Sequence, residues 1–545
     1  RLEDIDVTTR SERLRITASG SISSLGEFFK PPAQGSAVSP TRLQVLAETE
    51  ELGSLVDLFK GRVPFKASAE AQGVLTGSLG DFRIEDVVID ASGEYGKLSA
   101  TGYMDDLLSP HGWSIDFRAK SSTDQLGAFL KSYTQKDLPF IGKVVVLGRV
   151  SGTEGDVDVS EIELQLESGS MTLNADGKIG PIGPRAQFNI PFKITNITTD
   201  DLAVLANRFG YVDTVPVGLQ GQVDAVLIGN RRDLRLRDID LELASHSVTL
   251  KADGTIGPIG PETQFNMPLT IDARNLAALA QPLGLTVPEG FTGQAQARLV
   301  GERKDLNVSE IKLAVASDIV AVNGGGNDGG TIGPLGKTAI FNIPISAESD
   351  DLIALVGAFG FDLPLGGQVK MLAVLGGIIG DLDLNRISAN LVNPFGHLGL
   401  NGSITSLGSN VECDLGVDAS VSDLVLLETA LGWSLDQYPR LGFTSDAKLL
   451  CTDGQARLSN VSGVIKGKGI RSGQFFGQLP DLTDLASGSI TVNLAVDDLE
   501  QFTSPLGLRT AVAVPARLSV NAVGAPQRGS SLFVFFDGVS DGMQL

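Results

Sequence analysis

A short segment of the Asp-Leu-x-x-Leu type returns seven times along this chain. Leu52, Leu126, Leu202, Leu276, Leu352, Leu424 and Leu499 occupy its equivalent position, at intervals of about 72 to 76 residues. Self-similarity at one fixed period marks a modular array. Such an array stacks each copy on its neighbours, so it yields an extended object and not a globule around a single pocket. The copies divide the chain at 1–50 (partial), 51–125, 126–200, 201–275, 276–350, 351–423, 424–498 and 499–545 (partial). Both ends fall inside a copy, so the expectation is a window of a longer array.

Within a copy the pattern is that of strands. Near residue 295, Ala295, Ala297 and Leu299 alternate with Gln294, Gln296 and Arg298, and a turn follows at Glu302-Arg303-Lys304-Asp305. The second strand changes phase midway. Leu234 and Leu236 alternate, then Ile239, Leu241 and Leu243 alternate one residue out of step. The same break occurs at Val157, Val159 / Ile162, Leu164, Leu166 and at Leu306, Val308 / Ile311, Leu313, Val315. One extra residue in an alternating strand predicts a β-bulge that bends the sheet.

The third strand carries Met171, Leu173 and Ala175, or Val248, Leu250 and Ala252. It is expected to end at an Asp-Gly turn (Asp176-Gly177, Asp253-Gly254) before Ile-Gly-Pro-Ile-Gly-Pro. The fourth holds Phe188, Ile190, Phe192 and Ile194; Phe265, Met267, Leu269 and Ile271; or Phe341, Ile343 and Ile345. Pro191, Pro268 and Pro344 lie on the opposite parity and predict local irregularity. Asp201-Leu202 through Gly210 then reads as a short capped helix that needs the sheet for support. The fold class is therefore mainly β: an elongated repeat array of curled antiparallel sheet, four strands and one short helix per copy.

Charge and chemistry narrow the function. The net charge of -22 opposes nucleic-acid phosphates, which need a basic surface. No run of about 18 apolar residues is present to span a membrane as a helix. His111, His246 and His397 lie far apart, and no nucleophile elbow or phosphate loop appears, so an enzyme is not expected. Gly324 to Gly330 is read as a loop insertion in place of the Asp-Gly pair, not as a calcium repeat. Arg231, Arg232, Arg235 and Arg237 are read as a solvated strand face. Cys413 and Cys451 are read as two unpaired small core residues, with a disulfide as the alternative in an oxidising compartment.

One face of each strand is aliphatic and the other polar. The aliphatic set is Val157, Ile162, Leu164, Met171, Leu173, Phe188, Ile190, Ile194, Val223, Leu227, Ile239, Leu241, Leu243, Val248, Leu250, Phe265, Met267, Leu269, Ile271, Leu299, Ile311, Leu313, Phe341, Ile343 and Ile345. Two arrangements hide such a face: a closed sandwich whose apolar sides fill each other, or an open trough covered by a ligand. Periodicity leaves both open.

The order Asp-Leu-x-x-Leu, Pro-x-Gly plus an alternating strand, then Asp/Glu-Ile-x-Leu resembles the AsmA-like family of bacterial envelope proteins. Asp351-Leu352-Ile353-Ala354-Leu355, Pro364-Leu365-Gly366 and Asp238-Ile239-Asp240-Leu241 carry the likeness, which extends over essentially the whole chain. The resemblance implies a repeating β-groove of the bridge-like lipid transfer type. It implies an inner-membrane anchor through an N-terminal helix absent from this sequence, a periplasmic location, and phospholipids or fatty acyl chains as the bound species. Outer-membrane or other envelope proteins would be further partners. No cofactor and no metal are expected. The alternatives are a structural or adhesive β-repeat with a filled core, and a scaffold that assists outer-membrane protein assembly.

Overall fold

A computed structural model describes all residues except 12, 30–39, 53–65, 80, 108–111, 129–130, 132–141, 170, 184, 202–217, 231, 261, 278–286, 337, 355–365, 379, 408–410, 426–439, 453–454, 483–486, 505–514, 524–532, 537–538, 541–542 and 545. The protein is mainly β. It packs as two compact units: Arg1–Pro268 with Gly301–Lys304, and Leu269–Val300 with Asp305–Leu545.

In the first unit, each strand from Leu2–Arg10 to Val248–Ile256 pairs antiparallel with the next in sequence. In the second unit the same meander runs from Asp305–Ala316 to Ala516–Val523. One copy shows the parts: first strand Gln220–Asn230, second Asp233–Ala244, third Val248–Ile256 and fourth Gln264–Ala273. Alternation of aliphatic with polar or charged residues makes these segments strands and gives them an apolar side.

The phase break in the second strand is a bulge, and it recurs. Asp4, Asp86, Glu161, Asp238, Glu310, Arg386 and Asn460 all have φ between 51° and 54°. All seven are solvent-exposed. The residue that follows is Ile or Val, and in the copies at Val87, Ile162, Ile239, Ile311 and Ile387 it is buried. Left-handed backbone costs a non-Gly residue free energy. Here that cost is offset because the extra residue turns a polar side chain out and returns the aliphatic series to the apolar side. On the first strand, a single small residue faces the two bulge residues: Gly73, Gly148, Ala225, Ala373 or Ala447.

On the third strand, the residue opposite this Ile or Val is glycine in all seven copies: Gly20, Gly102, Gly177, Gly254, Gly330, Gly402 and Gly477. This corrects the expected Asp-Gly turns. Asp176-Gly177 and Asp253-Gly254 lie inside the strands Met171–Gly180 and Val248–Ile256. Glycine is present because the fourth strand comes close: a Cβ on Gly254 would stand 2.2 Å from the carbonyl oxygen of Asn266. The strand ends later, at Gly180-Pro181, Gly257-Pro258 and Gly333-Pro334, three cis peptide bonds. The run from Gly324 to Gly330 is an insertion: strands Ala321–Gly324 and Gly330–Gly333 flank it, and both pair with the second and fourth strands. The irregularity expected at the prolines of the fourth strand is limited: its pairing with the third strand skips Ile190 and Pro191 without a change of register, and Pro191 and Pro344 stay in step with Val226 and Val374 of the following strand.

Each described Asp-Leu-x-x-Leu segment starts as a helix, but most of its length lies outside the described residues, as do Leu202 to Gly210, Leu355, Pro364 and Leu365. The last copy is described as the helix Leu499–Thr503, whose N-cap Asp498 accepts a hydrogen bond from the Glu500 amide. A further one-turn helix, Leu25–Phe28, is capped by Ser24.

Candidate functional site: the apolar face of the sheet

Strand register brings the aliphatic residues into rows that cross the sheet. In the first unit, Val144, Leu166, Leu173, Ile194, Val223, Leu241 and Ala252 are successive cross-strand partners. A parallel row holds Ile190, Leu227, Leu236 and Ile256. In the second unit, Ile343, Leu375, Leu384, Ile404, Cys413, Cys451 and Ala456 form another. Of the 25 residues expected on this face, Ile162, Met171, Ile239, Leu243, Val248, Met267, Ile311 and Ile343 are buried. The remaining ones are half-buried. The side chains of this face are thus covered in part by one another, and most of them keep some accessible surface.

Its margins have a regular construction. At one end the start of the helix packs on the face: Leu126 clusters with Val144 and Leu166, against Val146, Leu164 and Leu173. Leu499 and Phe502 do the same on Val496, Ala516 and Leu518. Backbone bonds tie these starts to the next first strand, from Leu276 N to Phe291 O (3.0 Å) and from Leu352 N to Gly367 O (3.1 Å). At the other end the loop after the third strand crosses the beginning of the second strand. Ile182, Ile259 and Leu335 donate their amides to Val157, Leu234 and Leu306 at 2.6, 2.7 and 2.7 Å.

Cys413 and Cys451 correct the reading of two free thiols. They are direct cross-strand partners, with Cα atoms 4.6 Å apart, and they form a disulfide. That separation is the close spacing of a non-hydrogen-bonded antiparallel pair. Their sulfurs belong to the apolar cluster of Ala373, Ile387 and Leu415.

The opposite face is polar and ion-paired. Arg149 binds Asp116 through two hydrogen bonds of 2.8 and 2.5 Å and reaches Glu161 at 3.4 Å. That guanidinium holds the Asp116 carboxyl below its ordinary range. Arg83 pairs with Asp105, and its hydrogen bond to that carboxylate raises its own pKa. Lys193–Asp224 (2.8 Å) and Lys251–Glu242 (3.0 Å) continue the pattern. A cleft on this face is lined by Arg10, Arg15, Glu48, Glu70, Asp90 and Lys120, in which Arg15 meets Glu48 at 3.6 Å. Opposite charges alternate there, so no single ligand charge is favoured.

Of the basic cluster only Arg235 and Arg237 lie on the strand Asp233–Ala244, both exposed and Arg235 paired with Asp233; Arg232 is exposed in the turn before it, and Arg231 lies outside the described residues. His246 is exposed, His397 contacts Asp418 at 3.1 Å, and His111 is outside the described residues. Among the described residues, no three His, Cys, Asp or Glu side chains gather as metal ligands. No helix among them is long and apolar enough to cross a membrane.

Sequence reading missed one component of the apolar face. A cavity of about 280 Å³ opens there in the first unit, lined by Leu98, Val146, Gly148, Val159, Ile162 and Ile190 among others. The available signal was Gly148 itself, which stands where later copies carry Ala225, Ala373 and Ala447. No protein-family model matches the chain, and no curated protein matches its sequence.

Proposed function

We propose that this chain shields the hydrocarbon chains of phospholipids along the apolar face of its sheet, as a periplasmic segment of a bridge-like lipid transfer protein of the AsmA-like kind. The observation that carries this reading is the unbroken aliphatic row from Val144 to Ala252 across seven strands. An acyl chain of about 16 carbons in water exposes methylenes that cost about 0.8 kcal/mol each, above 10 kcal/mol in all. A continuous aliphatic lining removes most of that cost while the headgroup stays in solvent. No cofactor and no catalytic group is needed, and partners beyond phospholipid would be the two membranes and envelope proteins. The Cys413–Cys451 disulfide supports an oxidising compartment.

Ile194→Asp and Leu241→Asp each place a charge in the row. The wild-type chain should extract labelled phospholipid from vesicles, and these variants should lose that capacity while keeping their β circular-dichroism signal. Normal extraction by both variants would sink the proposal. A filled structural core is the second reading, and the burial of Ile239, Leu243, Val248 and Ile343 favours it. Lipid-free protein in native mass spectrometry after exposure to vesicles would support that alternative.

A further inference from the structure

We propose that the cavity at Gly148 is a seat for a single linear hydrocarbon chain, a discrete binding position within the apolar face of the first unit. The inference rests on the lipid reading and adds a place to it.

Gly148 has no backbone reason to be glycine. Its φ is not in the left-handed region, unlike Gly152 or Gly177. It has no steric reason either. A Cβ there would meet Val159 Cγ1 at 3.5 Å and Ile162 Cγ1 at 3.9 Å, ordinary contacts, whereas a Cβ on the equivalent Gly73 would stand 2.6 Å from Ile84 Cγ2. Glycine inside a strand weakens it and often marks a point of close approach by a ligand or another backbone.

The cross-strand neighbour deepens the hollow. Gly148 pairs with Ala119, and the corresponding pairs in other copies are Val45–Gly73, Phe192–Ala225, Ile345–Ala373 and Val417–Ala447. Ala119–Gly148 is the smallest of these, and the next residue in the row, Ala100, is small as well. The missing carbons leave the cavity of about 280 Å³. Leu98, Val146, Val150, Ile162, Leu164 and Ile190 wall it, and Ser121 is the only side chain in its lining that carries a hydroxyl. That volume falls just below the range of about 300–1,000 Å³ for drug-sized ligands. Apart from the Ser121 hydroxyl the lining side chains are apolar and none is charged, which favours an aliphatic chain segment as the occupant.

The test uses the full chain and phosphatidylcholine vesicles containing a phospholipid with a mid-chain diazirine. After photolysis, labelled peptides are mapped by mass spectrometry. Label is expected on Lys143–Thr153 and Asp156–Ser168. Gly148→Leu, which fills the hollow, should remove that label and leave labelling elsewhere on the apolar face. Gly148→Ala, which fits without clash, should reduce it and serves if the leucine variant does not fold. Label elsewhere but absent here, or label here unchanged in the folded variants, overturns the seat alone. No label anywhere on the apolar face overturns both the seat and the lipid reading.

Discussion

At Gly254 the backbone has a φ of 129°, and a Cβ would press on the Asn266 carbonyl at 2.2 Å. At Gly148 neither constraint applies. Gly254→Ala should therefore destabilise the first unit by about 1–3 kcal/mol, while Gly148→Ala should be neutral or stabilising by up to about 1 kcal/mol. Urea midpoints of the two variants against wild type measure the contrast, and equal losses would contradict it. Asp116 carries a different prediction. Its folded pKa lies below the unfolded value because Arg149 hydrogen-bonds it. The stabilisation from this pair is thus complete above the unfolded value of about 3.9 and is lost as pH falls through the folded value. Arg149→Ala should move the Asp116 carboxyl titration upward in a ¹³C NMR pH series; an unchanged midpoint would refute the pairing. Both carboxylate and guanidinium were visible in the sequence only as polar-parity residues, because their meeting depends on register between strands 33 positions apart.

The elements differ in how far they could be read beforehand. The bulge was legible, because the change of phase at Leu236/Ile239 can be met in a strand only by an extra residue. The glycine of the third strand was misread as a turn. Its cause is a carbonyl on the fourth strand, and no local pattern reports a neighbour's approach. The disulfide was misread for the same reason. Cys413 and Cys451 are 38 residues apart, and only the pairing of Glu412–Val421 with Leu441–Thr452 sets them face to face. The helix start was legible from Asp and the spaced apolar residues, and Leu499 and Phe502 do pack on the sheet. Asp498→Ala removes the hydrogen-bond acceptor for the Glu500 amide and should cost about 0.5–2 kcal/mol locally. Faster hydrogen exchange confined to Leu499–Thr503 and the strands beneath it would report this, and unaltered exchange there would count against the cap. The apolar face itself was legible by parity, whereas the hollow at Gly148 was not, because it comes from two small residues that meet only through register.

At the scale of the whole molecule, stability is distributed and not pooled in one centre. The disulfide closes a loop of 38 residues within the second unit, which the chain-entropy relation values at about 4 kcal/mol. Where contacts are made mainly with neighbouring strands, that stabilisation stays local. Reduction, or a Cys413→Ala, Cys451→Ala double variant, should lower hydrogen-exchange protection around Glu412–Thr452. The strands of Arg1–Ile256 should be unaffected, and a uniform loss across both units would overturn the local picture. The recurring bulge has a consequence for how such a protein can change over generations. Its three determinants, the small residue on the first strand, the left-handed residue on the second and the glycine on the third, all lie within one copy. In the copy at Ala225, Asp238 and Gly254 they all fall between residues 225 and 254. A gene that gains or loses a whole copy thus transmits a complete set of instructions and disturbs no other. Copy number becomes a heritable trait that is adjustable in steps, and selection can tune it without having to solve the fold again.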